Sequence, residues 1–546
     1  MTNFDIADIF SAYSKLIDIH GLNSFKAKSL AAAAFSIERL TIPLNELPFK
    51  ELSVQKGIGD STAKKISEII NTGTLKEYEE LLAATPPSIL EMMKIKGLGP
   101  KKINAIWKEM QIETVGELLY ACKENRLKTF KGFGEKTQTS VMQKIEFFMN
   151  SKGRFLFANT VRANEYIKTN LELHFGKINV IITGDYARQL EIIDQLEFVI
   201  DASIEEIKNF NLHDFNVLES DESSITFITE SGLKTVLHSA SARDKYFKAV
   251  KFSSSSEFSE LLDEKKCENA KNENDVFKKL NLPFIPSYLR ETKNIISKLK
   301  AEFEPIEAKD IKGLIHCHSN WSDGAHSIEE LAEECIKRGF EYIVISDHSK
   351  SAFYANGLYE DRIKKQHILI DELNRNYAPF KIFKSIESDI LNDGNLDYSN
   401  DILSTFDLVI ASVHSNLSMD KNKATERLVK AVENPYTRIL GHATGRLLLS
   451  RNGYEIDYDK IIDACIANNV VVELNAHPNR LDMDWRYLDK VIEKGGLISI
   501  DPDAHYLEGF DDINFGVLVA QKAMITAKDN LSSFSLSQFE KFLTQK

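Results

Sequence analysis

Seven short apolar runs after residue 312 each end in side chains able to bind a metal ion. GLIHCHS closes on His316 and His318, YIVISDHS on Asp347 and His348, and KIFKSIESD on Glu387 and Asp389. LVIASVHS ends at His414, RILGHATG at His442, VVVELNAHP at Glu473 and His477, and LISIDPDAH at Asp501, Asp503 and His505. Helical stretches lie between them, and the first, after Asp323, opens with the capping-box pair Ser327 and Glu330. Strand alternating with helix predicts a parallel barrel, whose chemistry sits at the C-terminal ends of the strands. The polar residues fall at those ends. Nine of the chain's 13 histidines lie between His316 and His505. A single such histidine is more often structural; the same pattern at seven strand ends points to a site. Imidazole mixed with carboxylate suits zinc, manganese or iron. His-x-His on one strand turns both rings to the same face and sends Cys317 into the core. His326 and His367 do not fall at strand ends and are expected at the surface.

At 546 residues the chain exceeds one hydrophobic core, so three or four domains are expected. Its 43% apolar and 27% charged residues describe a folded protein, and no apolar stretch is long enough to span a bilayer. MTNFDIADIF places acidic residues where a signal peptide is basic, and the five cysteines have no paired spacing. A cytoplasmic protein with reduced thiols and no membrane partner is expected. The net charge of −13 is uneven: residues 1–150 hold 20 Lys+Arg against 18 Asp+Glu, so the remainder carries −15. Carboxylates at a metal site account for part of that acidity, which bound cations would offset.

Residues 1–150 read as helices joined by glycine turns. Three segments share the form K-G-apolar-G before a helical stretch: KGIGDSTAKKI (56–66), KGLGPKKINAI (96–106) and KGFGEKTQTSV (131–141). Their glycines (Gly57 and Gly59, Gly97 and Gly99, Gly132 and Gly134) permit left-handed turns and close backbone approach. The helix that follows offers free N–H groups and the positive end of its dipole to a phosphate. These segments resemble the helix–hairpin–helix motif, which grips the DNA backbone without reading bases. Residues 155–250 contain strand-like runs, KINVIITG, SSITFITE and KTVLHSA, and the polar stretch 253–275 is expected to be a loop or linker.

From HCHSNWSDGAHSIEE to DAH, the C-terminal part is similar to the polymerase and histidinol phosphatase (PHP) superfamily, most closely to the PHP domain of bacterial family X DNA polymerases. The resemblance implies a distorted seven-stranded (β/α) barrel holding three divalent ions, manganese or zinc, with iron as a further candidate. His316, His318, Glu387 and Asp503 would hold one ion. Glu387 would bridge to a second, held also by His414 and His442. Asp323, His348 and His505 would hold the third. His477 departs from the usual asparagine. Such ions neutralise a phosphodiester and activate water against it. Asp503, His348 and Glu387 are therefore the expected catalytic residues, and Arg446 is a candidate phosphate clamp.

The resemblance divides the chain into a lyase-like helical domain (1–80) and a fingers-like hairpin domain (81–150), both all-α. An α+β nucleotidyltransferase palm (151–252), a thumb-like segment with linker (253–312) and the PHP domain (313–546) follow. LNLPFIPSYLRET (280–292) matches the family, and Lys65 takes the position of the Schiff-base lysine of active lyases. The palm does not match. Gly184-Asp185 replaces Gly-Ser, Gln195 and Glu197 stand where two aspartates are expected, and the strand 224–230 offers Thr226 and Thr229 where a third carboxylate belongs. Two-metal nucleotidyl transfer needs those carboxylates. The expected function is a metal-dependent 3′-to-5′ exonuclease acting on gapped, nicked or abasic DNA, with abasic-site endonuclease or 3′-phosphatase capacity and an impaired polymerase site. A gap-filling polymerase and a small-molecule phosphatase are the alternatives. A monomer is expected.

Overall fold

The glycine turns lie in the first of two units, Met1–Lys152; the second is Gly153–Lys546. The computed structural model describes the chain except residues 124–126, 129, 131, 152, 211–214, 230–231, 300–301, 450–451 and 545–546. Lys131 of the third hairpin therefore lies outside the described residues. The three hairpins repeat one geometry. Gly57, Gly97 and Gly132 take φ of +84°, +89° and +92°. The apolar residue that follows each of them (Ile58, Leu98, Phe133) is buried. Gly59 and Gly99 cap the helices Asp60–Thr72 and Pro100–Asn104 with no side chain on the first-turn amides, and Glu135–Ser151 follows Gly134. A capping serine or aspartate would occupy those amides; glycine leaves them open.

Among the described residues the second unit holds fourteen strands. Two short ones, β1 (Phe155–Leu156) and β3 (Ile192–Ile193), pair antiparallel. A five-stranded sheet contains β2 (Val180–Thr183), β4 (Gln195–Asp201), β5 (Phe215–Ser220), β6 (Ser224–Thr229) and β7 (Lys234–Ala240), in the order β2-β4-β7-β6-β5. Only β4 and β7 run parallel. The expected linker is instead packed. Ser255, Asp263 and Asn272 cap three short helices through their side chains. Phe258, Cys267, Val276 and Phe277 form a buried core with Leu289. The polar character of 253–275 conceals a few apolar residues, Phe258 and Cys267 among them, that become buried.

All seven expected barrel strands are present: β8 (Gly313–Cys317), β9 (Tyr342–Ile345), β10 (Lys381–Asp389), β11 (Leu408–Ser412), β12 (Thr437–Leu440), β13 (Val471–Asn475) and β14 (Ile498–Asp501). They pair in sequence order, all parallel. A bridge from Cys317 to Ala504 closes the ring, with His318 N donating to Ala504 O at 2.9 Å. Side chains sort by period two. Leu314, Ile343, Val409 and Val472 pack with the surrounding helices, as does Cys317. Ile315, Tyr342, Val344, Ile410 and Val471 form a second cluster with Leu531 and Phe539. The Phe539 ring stacks on Tyr342, the first residue of β9, at 4.5 Å, so it plugs the barrel at its N-terminal end. The Ser327–Glu330 capping box forms as expected. No helix among the described residues is long and apolar enough to cross a membrane.

Alanine at Gly57 would need the left-handed backbone and would place its Cβ 2.3 Å from Ser36 Oγ. Gly57→Ala should cost about 1–2 kcal/mol and lower the melting of the first unit by several degrees. Gly59→Ala, with open space around it, should change it little. Thermal denaturation of the two full-length variants checks this; equal melting would show that the turn is not under that constraint.

Candidate metal centre

The nine expected ligands converge at the C-terminal end of the barrel. Glu387, at the end of β10, is buried among five imidazoles. His316 Nε2 lies 3.3 Å, His414 Nε2 3.1 Å and His442 Nε2 2.9 Å from its Oε1, and His318 Nε2 lies 3.7 Å and His348 Nδ1 2.9 Å from its Oε2. Asp503 Oδ1 lies 3.1 Å from His318 Nε2 and 3.6 Å from His316 Nε2. Asp323 lies 3.5 Å from His348 Nε2, 3.4 Å from His505 Nε2 and 3.8 Å from His318 Nδ1. Three groups have donor atoms close enough to share an ion: His318, Asp323, His348 and His505; His316, His318 and Asp503; and His348, Glu387 and His414. Relative to the expected division, His318 also faces the Asp323 group and His348 also faces Glu387. The two residues join the groups.

Local backbone makes the convergence possible. His316, His442 and Asp503 all have positive φ, +59°, +20° and +52°. With Ile315 inside the barrel and Cys317 outside it, the left-handed turn at His316 breaks the alternation and sends its ring to the site. Such strain concentrates where function fixes the geometry.

The donor set fits divalent cations. His316 Nε2, His318 Nδ1, His442 Nδ1 and Glu387 Oε2 are buried yet make no hydrogen bond, an arrangement that ion coordination satisfies. Burial pushes the Glu387 carboxyl up, but His414, His316 and His348 together hold it well below the usual range. Asp503 behaves likewise: burial raises it, and His316 and His318 more than reverse the effect. Burial lowers His414, and Glu387 and Asp389 lift it to about 9. Burial and the neighbouring His505 and His348 drive His318 down to about 3.

Glu473, Asp389 and Asp347, potential ligands by their place at strand ends, orient ligands instead, and sequence gives no sign of the same part played by Asn475 and Gln366. Glu473 accepts from His316 Nδ1 and from the backbone N–H of His442. Asp389 bonds His414 Nδ1, and Asn475 Nδ2 donates to Asp503 Oδ2 at 3.1 Å. Asp347 accepts from Ser319 N at 2.8 Å and Gln366 Nε2 at 2.6 Å, fixing the loop that carries Asp323. A ligand histidine held through its other nitrogen keeps its tautomer and direction. His477 sits on the rim, its N–H bonded to Asn475 Oδ1 at 3.1 Å. His326 and His367 are half-buried rather than at the surface; burial holds His367 down at about 4.

Three sets of expected residues have internal partners. Arg446 is held by the turn around Arg480. Its guanidinium bonds Asp484 Oδ2 (2.6 Å), Arg480 O (2.9 Å) and Leu481 O. In the first unit, Lys65 Nζ meets Glu77 Oε2 at 2.7 Å, and Lys26 meets the same oxygen at 3.0 Å. Lys65 and then Lys26 hold the Glu77 carboxyl at about 2. An ammonium in that pair is a weaker nucleophile than a free amine. In the central sheet, Thr226 and Thr229 lie on β6, which pairs with β5 and β7 but not β4; Glu230 lies outside the described residues. The strands beside β4 are β2 and β7, and neither has a carboxylate. Glu197 Oε2 instead pairs with His238 Nε2 at 2.9 Å, and His238 stacks on Phe252 at 4.1 Å.

Removing an orienting carboxylate should weaken the centre without deleting a ligand. Asp389→Asn and Glu473→Gln should each lower metal affinity about 10–100-fold, read by competition with a chromogenic chelator. Wild-type affinity in both variants would mean that these carboxylates do not tune the site.

Residues 1–75 match the helix-hairpin-helix domain family, 89–145 the SAM-like helix-hairpin-helix tandem family, and 315–477 the PHP domain family. The chain is 32% identical to the DNA polymerase/3′-5′ exonuclease PolX of Bacillus subtilis (strain 168), over 99% of both chains. A probable phosphatase of Thermoanaerobacter sp. (strain X514) is 27% identical over 42% of this chain and 94% of its own. A probable phosphatase of Escherichia coli (strain K12 / DH10B) is 23% identical over 35% of this chain and 77% of its own. With helix-hairpin-helix and PHP matches and similarity to one relative over its full length, the chain belongs to the PolX family of family X DNA polymerases with a C-terminal PHP domain.

Proposed function

We propose that this chain is a DNA-repair nuclease, a metal-dependent 3′-to-5′ exonuclease whose polymerase site is impaired. The observation that carries the reading is the set of nine ligand-type side chains within reach of one another at the barrel mouth. Three ions, manganese, zinc or iron, would be held by the residues assigned above, with Glu387 shared between two of them. Bound there, they supply charge neutralisation of the phosphodiester and activation of water. The protein's part is to hold the imidazoles in fixed tautomers through Glu473 and Asp389 and to exclude bulk water from Glu387 and Asp503. The open amides and lysines of the hairpins suit phosphate contacts along gapped, nicked or abasic DNA. Abasic-site endonuclease and 3′-phosphatase activity belong to the same proposal, as does a cytoplasmic location.

The Glu197–His238 pair supports an impaired polymerase. One carboxylate with an internal partner is a poor substitute for the three that hold two Mg²⁺ ions. Among the described residues, no group of three metal-ligating side chains occurs in the central sheet. The name of the Bacillus subtilis relative favours the second reading, a gap-filling polymerase with an exonuclease. The hairpins weigh against a small-molecule phosphatase, which has no use for a grip on DNA.

With Mn²⁺, the protein should shorten a 3′-labelled oligonucleotide. His348→Ala and Asp503→Ala should each reduce this by about a thousandfold or more, the several kcal/mol that metal activation supplies, while circular dichroism stays that of the wild type. Undiminished hydrolysis in a folded variant would remove the proposed centre. On a primed, gapped template with dNTPs no extension is expected; efficient extension would refute the impaired palm.

A further inference from the structure

Barrel arginines near the site differ in how much of the guanidinium they use. Arg427 bonds the carbonyls of Leu391, Ser415 and Ile390, and Arg446 is fully engaged as described. Arg480 is not. Its Nε lies 3.5 Å from Asp503 Oδ2, and its side chain is 19% exposed. Its guanidinium makes no hydrogen bond among the described residues. Its half-buried head pairs with Asp503 through Nε alone, so its other donors remain open to a ligand.

The backbone under Arg480 is fixed. Arg480 N and Leu481 N both donate to His477 O, at 2.7 and 3.1 Å. The carbonyls of Arg480 and Leu481 accept from Arg446. This turn holds the Arg480 stem beside Asp503, whose other oxygen faces His318 and His316. The terminal nitrogens are left for an anion. A guanidinium fork matches two oxygens of a phosphate, which an ammonium cannot do.

We propose that Arg480 is the phosphate-binding residue of the metal centre, its fork receiving the non-bridging oxygens of the scissile phosphate beside Asp503. The assignment rests on the phosphoesterase reading above. It moves the clamp from Arg446 to Arg480, with Arg446 setting the turn beneath it.

The test uses the full-length protein loaded with Mn²⁺ and two readouts. Inorganic phosphate binding is measured by calorimetry, and shortening of a 3′-labelled single strand gives KM and kcat. Arg480→Ala should keep the wild-type metal content and melting, weaken phosphate binding at least about tenfold, and raise KM more than it lowers kcat. Arg480→Lys should recover only part of the loss. Unchanged phosphate affinity in Arg480→Ala overturns the assignment, as does a wild type that binds no phosphate. Loss of metal together with phosphate binding also overturns it, because Arg480 would then merely support Asp503. A wild type that leaves DNA intact, yet loses phosphate affinity in Arg480→Ala, keeps Arg480 and sinks the DNA reading.

Discussion

A carboxylate buried in protein must meet positive charge or give up its own, and Glu387 meets five imidazoles. The rest of the second unit is arranged around that requirement. Every barrel strand but β13 delivers one or two donors to one end of a ring, β13 supplying the orienting Glu473, while Phe539 closes the opposite end with apolar contact. Burial alone would neutralise the carboxyls. The mutual field of imidazoles and carboxylates keeps Glu387 and Asp503 charged, which is the state that binds cations.

Rigidity follows from the same design. The carboxylates Glu473, Asp389 and Asp347 touch ligands or their loops rather than forming the ion-sharing groups, and each is buried. The central sheet is tied to the barrel by charge as well. Lys522 donates to Glu291 at 2.8 Å and to the carbonyl of Arg188 at 2.7 Å, and Arg486 meets Glu191 at 3.2 Å. The region around the central sheet therefore shares a framework with the barrel.

Much of this was legible in the chain because it depends on period and residue type. Seven apolar runs gave seven strands, and the terminal imidazoles and carboxylates could be recognised by chemistry alone. The hairpin glycines were legible for the same reason: the first of each pair takes the left-handed turn that glycine permits. What the sequence did not disclose depends on direction. Nothing in GHATGR tells that Arg446 turns toward Asp484, and nothing in HPNRLD tells that Arg480 turns toward Asp503. The positive φ at His316 is equally silent, because histidine carries no mark of a left-handed backbone. The stretch 253–275 reads as a loop because Ser255, Asp263 and Asn272 are caps of short helices, and its few apolar residues, Phe258 and Cys267 among them, are the ones that become buried.

Elemental analysis of the purified chain, after exposure to Mn²⁺ or Zn²⁺ and removal of loosely held ions, bears most directly on the convergence of these side chains. Three ions retained per chain, one for each donor group, with a Glu387→Ala variant that stays folded but loses at least one of them, is the expected result. A wild type that retains none, or a Glu387→Ala variant with undiminished stoichiometry, would contradict the existence of a shared metal centre at the mouth of the barrel.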